Sequence, residues 1–211
     1  MTLSDPYEEL RRNMVAHQIA ARGVKDTRVL ETMLAVRRHE FVGAANADLA
    51  YADQPLPIGL GQTISQPYIV ARMTELLEVK PQHLVLEVGA GCGYQTAVLC
   101  RLCAHVFAIE RLPELAALAQ VNLRRAQCGN YSLSAGDGAM GWPEHAPFDR
   151  ALVACAAARI PEALLEQLKI GGRLVAPIGD PQVQELILAV KQADGQVKIS
   201  THGSVRFVPM V

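Results

Sequence analysis

The sequence has little charge of either sign, few aromatic residues and no long apolar run. Lys and Arg number 20 and Asp and Glu 21, a formal net charge of −1. Without a basic excess there is no electrostatic signature of nucleic-acid binding, and no acidic block suggests a tail. No stretch approaches the ~20 apolar residues that cross a bilayer, so no membrane contact is expected. The opening segment MTLSDPYEELRR lacks the basic-then-apolar layout of a signal peptide. The expected location is therefore the cytoplasm. The odd count of five cysteines argues against a disulfide framework and fits a reducing compartment. Cys100 and Cys103 form a C-x-x-C, read as two buried positions on an apolar helix. The six histidines have no ligand-like spacing, so no metal is expected. Internal repeats and low-complexity tracts are also missing.

What is present is core. Half of the 211 residues are hydrophobic and 19% are charged, which suits one domain with a large interior. Residues 7–20 read as a helix with Leu10, Met14, Val15 and Ile19 on one face. A second helix, 27–36, follows Asp26 as N-cap and stacks Val29, Leu30, Met33 and Leu34. The segment 43–65 carries Pro55, Pro57, Gly59 and Gly61 and reads as an ordered loop anchored by Leu56, Ile58 and Ile64. Ser65 is placed as N-cap of the next helix, with Pro67 in its first turn. From Leu84 onward, short apolar runs (84–88, 105–109, 131–135, 150–154, 173–178) alternate with helix-like segments (94–103, 112–126, 161–168). That alternation predicts a Rossmann-like, doubly wound, mostly parallel α/β sheet. ELILAV, a turn at 193–195, QVKIS and SVRFV then predict an antiparallel C-terminal hairpin. One domain is expected, in three parts: helices and a substrate loop (1–80), a cofactor-binding core (81–180) and C-terminal strands (181–211).

The clearest chemical signal is LVLEVGAGCGYQ, residues 84–95. A buried strand runs into Gly89, Gly91 and Gly93 and then a helix, as where a backbone turns tightly and approaches a ligand. The dinucleotide pattern G-x-G-x-x-G/A would need Gly or Ala at 94, where Tyr94 stands. The G-x-G-x-G spacing after Glu87 instead resembles the first motif of class I S-adenosylmethionine-dependent methyltransferases. Glu110 ends the next strand, where a carboxylate can accept hydrogen bonds from ribose hydroxyls. GDG (136–138) ends the third strand, and the resemblance implies that Asp137 reaches an adenine amino group. The cofactor contacts expected are Gln62, Gly89, Gly91, Gly93, Tyr94, Glu110, Arg111, Asp137 and Gly138.

A second resemblance is more specific. PLPIGLGQTISQPYIVARMTELL (55–77) resembles the signature of the protein-L-isoaspartate O-methyltransferase family. MVAHQIAARGVKDTRVLETM, GDGAMGWPEHAPFD, LLEQLKIGGRLVAPIG and VRFVPM resemble its other segments, so the likeness covers nearly the whole chain. It implies methyl esterification of the α-carboxylate of L-isoaspartyl residues in damaged proteins and peptides. The ester then closes to a succinimide, which starts repair. S-adenosyl-L-methionine is the implied cofactor and a monomer the implied state. A carboxylate nucleophile is ionised at neutral pH, which explains the lack of acid–base machinery. Ser65 of the T-I-S motif is the implied active-site residue, a hydrogen-bond donor to the substrate carboxylate. Thr63 and Ile64 would shape the same loop. Val205 and Arg206 would form the far wall of a peptide groove, Arg206 either as a carboxylate clamp or as a surface residue. Trp142 is expected in the core or at a pocket wall.

The chain departs from the family pattern in places. Ala90 and Cys92 replace Thr or Ser, Ala154–Cys155 replaces Thr-Ala, Arg37 replaces a proline, and CGNY precedes the third strand. Two alternatives stay open on the residues alone: a class I methyltransferase acting on a small-molecule carboxylate, and a non-catalytic cofactor-binding relative.

Overall fold

The computed structural model describes residues 5–210; residues 1–4, the start of the opening segment, and residue 211 lie outside it. At the N-terminus α1 (Glu8–Asn13) winds wider into a π-helical stretch, Met14–Ile19, and a short turn ending at Gly23. The looser winding buries Met14, Val15 and Ile19 but leaves Leu10 in solvent, where a uniform helix would have put all four on one face. Helix α2 (Thr27–Ala35) is capped as expected, with Asp26 accepting from the amides of Arg28 and Val29. Val29 and Met33 are buried, but Leu34, about 100° round the helix from Met33, is exposed. Arg28 ties α2 to the core by donating to the carbonyls of Val79 and Leu102, each at 2.8 Å.

The proline- and glycine-rich loop is more regular than expected. It contains a two-stranded hairpin, β1 (Leu56–Gly59) and β2 (Gln62–Ile64). Helix α3 (Pro67–Leu77) follows, with Gln66 at its N-cap and Pro67 as its first residue. Ser65 is therefore not the cap, and its hydroxyl is not committed to that duty.

The main sheet uses β3 (Leu84–Val88), β4 (His105–Glu110), β5 (Tyr131–Ala135), β6 (Phe148–Val153), β7 (Leu168–Gly179), β8 (Gln184–Lys191) and β9 (Val197–Val205). Helices α4 (Tyr94–Cys100), α5 (Pro113–Arg125) and α6 (Glu162–Glu166) connect them. The strand order is β5-β4-β3-β6-β7-β8-β9, parallel from β5 to β7 and antiparallel beyond. QVKIS runs on into the first two residues of SVRFV as one strand, β9, which ends at Val205 and shifts register opposite Glu185–Ile187.

Alternation along the central strands decides which layer each residue enters. Val85, Val106, Ala108 and Leu152 face the core shared with α3, α4 and the N-terminal helices. Leu86, Val88, Ile109, Ala151 and Val153 face the core shared with α6. Trp142 is half-buried and packs edge-on to Phe107 at 5.9 Å between ring centres, against the margin of this second core layer. No helix among the described residues is long and apolar enough to cross a membrane.

The direction in which successive strands are added reverses between the parallel neighbours β3 and β6. From β3 the sheet is built outward through β4 and β5, and from β6 in the other direction. In open parallel sheets such a switch point leaves a crevice at the carboxyl ends of the strands. The Gly89–Gly93 loop follows β3, and Ala154–Cys155 follows β6.

Candidate active site

The glycine loop is clamped from two sides. Glu110, at the end of β4, is buried, and its Oε2 accepts from the Gly91 amide at 2.7 Å. Its Oε1 accepts from the Leu112 amide at 3.0 Å. From above, Ile58 of the hairpin closes on Gly91. A Cβ on Gly91 would stand 3.2 Å from Ile58 Cδ1, and φ there is +55°. Gly138 meets a similar limit, since its Cβ would fall 2.2 Å from Val88 Cγ1. Side chains at these positions would fill the crevice with protein.

A cavity occupies that crevice. Gln62, Gly89, Gly91, Glu110, Arg111 and Gly138 all line it, as the sequence led one to expect. Asp137 is not among the lining residues; it stands half-exposed beside Arg111 and Gly138, where Oδ1 accepts from the Ala139 amide and Oδ2 pairs with Arg111 at 3.4 Å. Two more expected contacts are placed elsewhere. Gly93 packs α4 against α5, its absent Cβ lying 3.1 Å from Leu123. Tyr94 is buried, edge-on to Phe41 and beneath the Arg38 guanidinium, and burial pushes its hydroxyl up to about 12. Gly93 and Tyr94 thus hold the loop's shape from behind, and Tyr94 reaches only the neighbouring cleft described next.

That second cleft, of about 420 Å³, runs from the glycine loop to Thr63, Ile64 and Ser65. Ala90 and Cys92 line it, so the two departures in the glycine loop remove hydroxyls from this wall. Burial pushes the Cys92 thiol up to about 11, which keeps it neutral. A third, open groove of about 1670 Å³ runs along Ser65, Gln66, Tyr68 and Ile69 on one side and Ser204–Pro209 on the other. Val205 and Arg206 form its far wall, as expected, and Arg22 lies at its edge, 3.6 Å above the Tyr68 ring.

All three spaces share two residues, Thr63 and Ala154. Ser65 lines the second and third. The junction therefore joins an enclosed cavity to an open groove beside a serine hydroxyl. Several lining residues carried no signal in the sequence: Ile58, Leu112, Leu115, Cys155 and the Val208–Met210 segment. VRFVPM was expected at the groove alone, but its last three residues also wall the enclosed cavity. A strand end that turns back over the crevice could not be read from composition.

The family model for Protein-L-isoaspartate(D-aspartate) O-methyltransferase (PCMT) matches residues 9–211. The chain belongs to this family. A protein-L-isoaspartate O-methyltransferase of Methanoculleus marisnigri is 48% identical over 208 residues, covering 99% of this chain and 94% of its own. One from Methylorubrum extorquens is 52% identical, covering 100% of this chain and 93% of its own. Among solved structures, a Plasmodium falciparum protein described as a beta-aspartate methyltransferase, in complex with S-adenosyl-L-homocysteine, superposes with a TM-score of 0.81. It is 25% identical, and the match covers 98% of this chain and 99% of that one. The match of this PCMT-family chain runs over nearly the whole length of each of these relatives.

Proposed function

We propose that this chain methylates the α-carboxylate of L-isoaspartyl residues in proteins and peptides, with S-adenosyl-L-methionine as methyl donor. The observation that carries the reading is the junction at Thr63 and Ala154, where one enclosed cavity opens onto one open groove beside Ser65. The cavity fits the cofactor by its donor set. Glu110 stands at a strand end with its carboxylate oriented by two backbone amides, and carboxylate oxygens hold further acceptor capacity for ribose hydroxyls. Gly89, Gly91 and Gly138 leave backbone open to close approach, and the Arg111–Asp137 pair offers charge at the rim. When bound, S-adenosylmethionine supplies an electrophilic methyl group on a positively charged sulfur.

The protein's own task is placement. The substrate carboxylate is already ionised at neutral pH, so no base is needed, and none stands beside Ser65. We assign Ser65 as hydrogen-bond donor to that carboxylate, and Thr63 and Ile64 as the wall that aims it at the junction. Val205 and Arg206 support the peptide on the far side. Apolar residues dominate the cavity wall, and removal of water there strengthens every polar contact. Residues 81–180 supply most of the cofactor side, to which Ile58, Gln62, Thr63 and Val208–Met210 add a wall, while the first 80 residues and the C-terminal segment form the substrate side. A monomer is the working unit in this reading.

Transfer of labelled methyl groups to an isoaspartyl peptide, and not to its aspartyl twin, is the expected result. Equal labelling of both peptides, or of neither, overturns the proposal. Binding of S-adenosylhomocysteine without turnover on any isoaspartyl peptide would instead indicate a non-catalytic relative.

A further inference from the structure

The open groove carries positive charge on both walls. Arg22 lines it beside Tyr68, and Arg206 lines it from the Ser204–Pro209 side. Among the described residues no Asp or Glu lines it; the other walls are apolar or neutral polar.

The two guanidiniums are held differently. The Arg22 guanidinium carbon stands 3.6 Å from the centre of the Tyr68 ring, and Nη1 donates to Asp53 Oδ2 at 3.0 Å. Gln66 donates to the Asp53 carbonyl at 3.1 Å and so steadies that partner. Arg22 is thus fixed in place, with the other N–H donors of its fork open to a ligand. Asp53 does not line the groove, so it offsets the Arg22 charge without presenting a carboxylate to the peptide. Arg206 follows the last residue of β9, is exposed, and forms no salt bridge among the described residues. Glu185, opposite Ser204 across the β8–β9 ladder, also stands outside the groove lining.

Neither arginine lines the junction. Thr63 and Ala154 belong to all three spaces and Ser65 to two, whereas Arg22 and Arg206 line the groove alone. The carboxylate that accepts the methyl group must sit at the junction, so the arginines are left to meet what flanks it. A guanidinium suits a second carboxylate, which it can engage through two parallel N–H donors. It repels an approaching Lys or Arg, and no groove acid relieves that repulsion.

On the reading that this groove seats the isoaspartyl peptide, we propose that it selects damaged sites flanked by an acidic side chain, with Arg206 and Arg22 as the residues that read it. The effect belongs to binding. The flanking residue is remote from the methyl group, so it acts alike on bound peptide and transition state and is felt in KM, not in kcat. Pairs this exposed are screened, so the discrimination is about 2- to 5-fold for each step in charge and shrinks as salt rises.

The test is a series of isoaspartyl peptides with blocked termini, identical except for Glu, Gln or Lys beside the isoaspartate. One set carries the variable residue before the damaged site and the other after it. Blocked ends make the side chain the sole flanking carboxylate. In at least one set kcat/KM should fall in the order Glu, Gln, Lys, with kcat little changed and the spread narrower in about 0.5 M salt. Arg206→Gln should bring the Glu-to-Lys ratio closer to one, and Arg22→Gln added to it closer still. The ratio is internal to each protein, so a general loss of activity cancels. If the double variant does not fold, Arg206→Gln, at an exposed position, decides. Equal kcat/KM throughout both sets, or a preference for Lys, overturns the proposal. So does a ratio that Arg206→Gln leaves unchanged, since a clamp on the reacting carboxylate would lower all three peptides alike. Methylation of every peptide without a charge ranking removes this selection and leaves the activity standing; methylation of none removes both.

Discussion

Replacing Glu110 with Gln separates the two duties that the carboxylate carries in this structure. One oxygen accepts from the Gly91 amide at 2.7 Å and the other from the Leu112 amide at 3.0 Å. An amide side chain of the same shape keeps one acceptor and turns the other into a donor. Whichever way the Gln faces, one backbone N–H then meets an NH2 group. The loss is one charge-assisted hydrogen bond and an amide left without a partner in a buried place, together about 3 kcal/mol. For a domain of this size, that corresponds to a melting temperature lower by roughly 6–12 °C. The same substitution removes an acceptor for ribose hydroxyls, so S-adenosylhomocysteine should bind more weakly and recover less of the lost melting temperature. Thermal melts with and without the ligand, with calorimetric titration at a temperature where both proteins are folded, read the two effects separately. An unchanged melting temperature would refute the clamp. An unchanged affinity would refute the assignment of Glu110 to the cofactor.

Other outcomes follow from the same geometry. Ser65→Ala should lower kcat on an isoaspartyl peptide and leave S-adenosylhomocysteine affinity unchanged; wild-type kinetics would remove Ser65 from the site. Gly138→Ala drives a Cβ to 2.2 Å from Val88 Cγ1 and should cost about 1–3 kcal/mol by overpacking, with a Val88→Ala background recovering part of it in denaturant titrations. Glu87 is fully buried, its carboxyl oxygens make no well-formed hydrogen bond, and burial, only partly offset by the nearby Thr96 hydroxyl, pushes its pKa from 4.5 up to about 8. An acid whose folded pKa is raised contributes stability that is full below 4.5 and is lost as pH rises toward 8, by up to about 1.4 kcal/mol per pH unit. Glu87→Gln should therefore gain on the wild type in that window, and parallel stability–pH curves for the two proteins would contradict this.

The sequence was most legible where a physical period or a unique backbone demand is written locally. The β3 run LVLEV followed by alternate glycines predicts a strand, a tight turn and a helix, and Leu84–Val88 and Tyr94–Cys100 follow it closely. Asp26 signals its helix because its side chain can reach two amides. The β1–β2 hairpin was hidden because Pro57, Gly59 and Gly61 read as turn residues, while its pairing is made by backbone groups that leave no pattern. Leu10 was misplaced because π-helical winding depends on tertiary packing. The burial of Tyr94 behind the loop was not legible, because adjacency to a glycine motif does not say which way a ring points.

Thr63 and Ala154 belong to every compartment of the site, and this limits how the enzyme can diverge. A change of bulk at either position is felt at once by the small ligand and by the peptide, so the two affinities cannot be adjusted independently there. Freedom to drift lies where only one compartment is touched. Arg22, Tyr68 and the Val205–Phe207 wall face the groove alone, and Leu112 and Leu115 face the enclosed cavity alone. Relatives that differ in the peptides they favour should therefore vary first along the groove's outer wall, while the pair at the junction stays small and fixed.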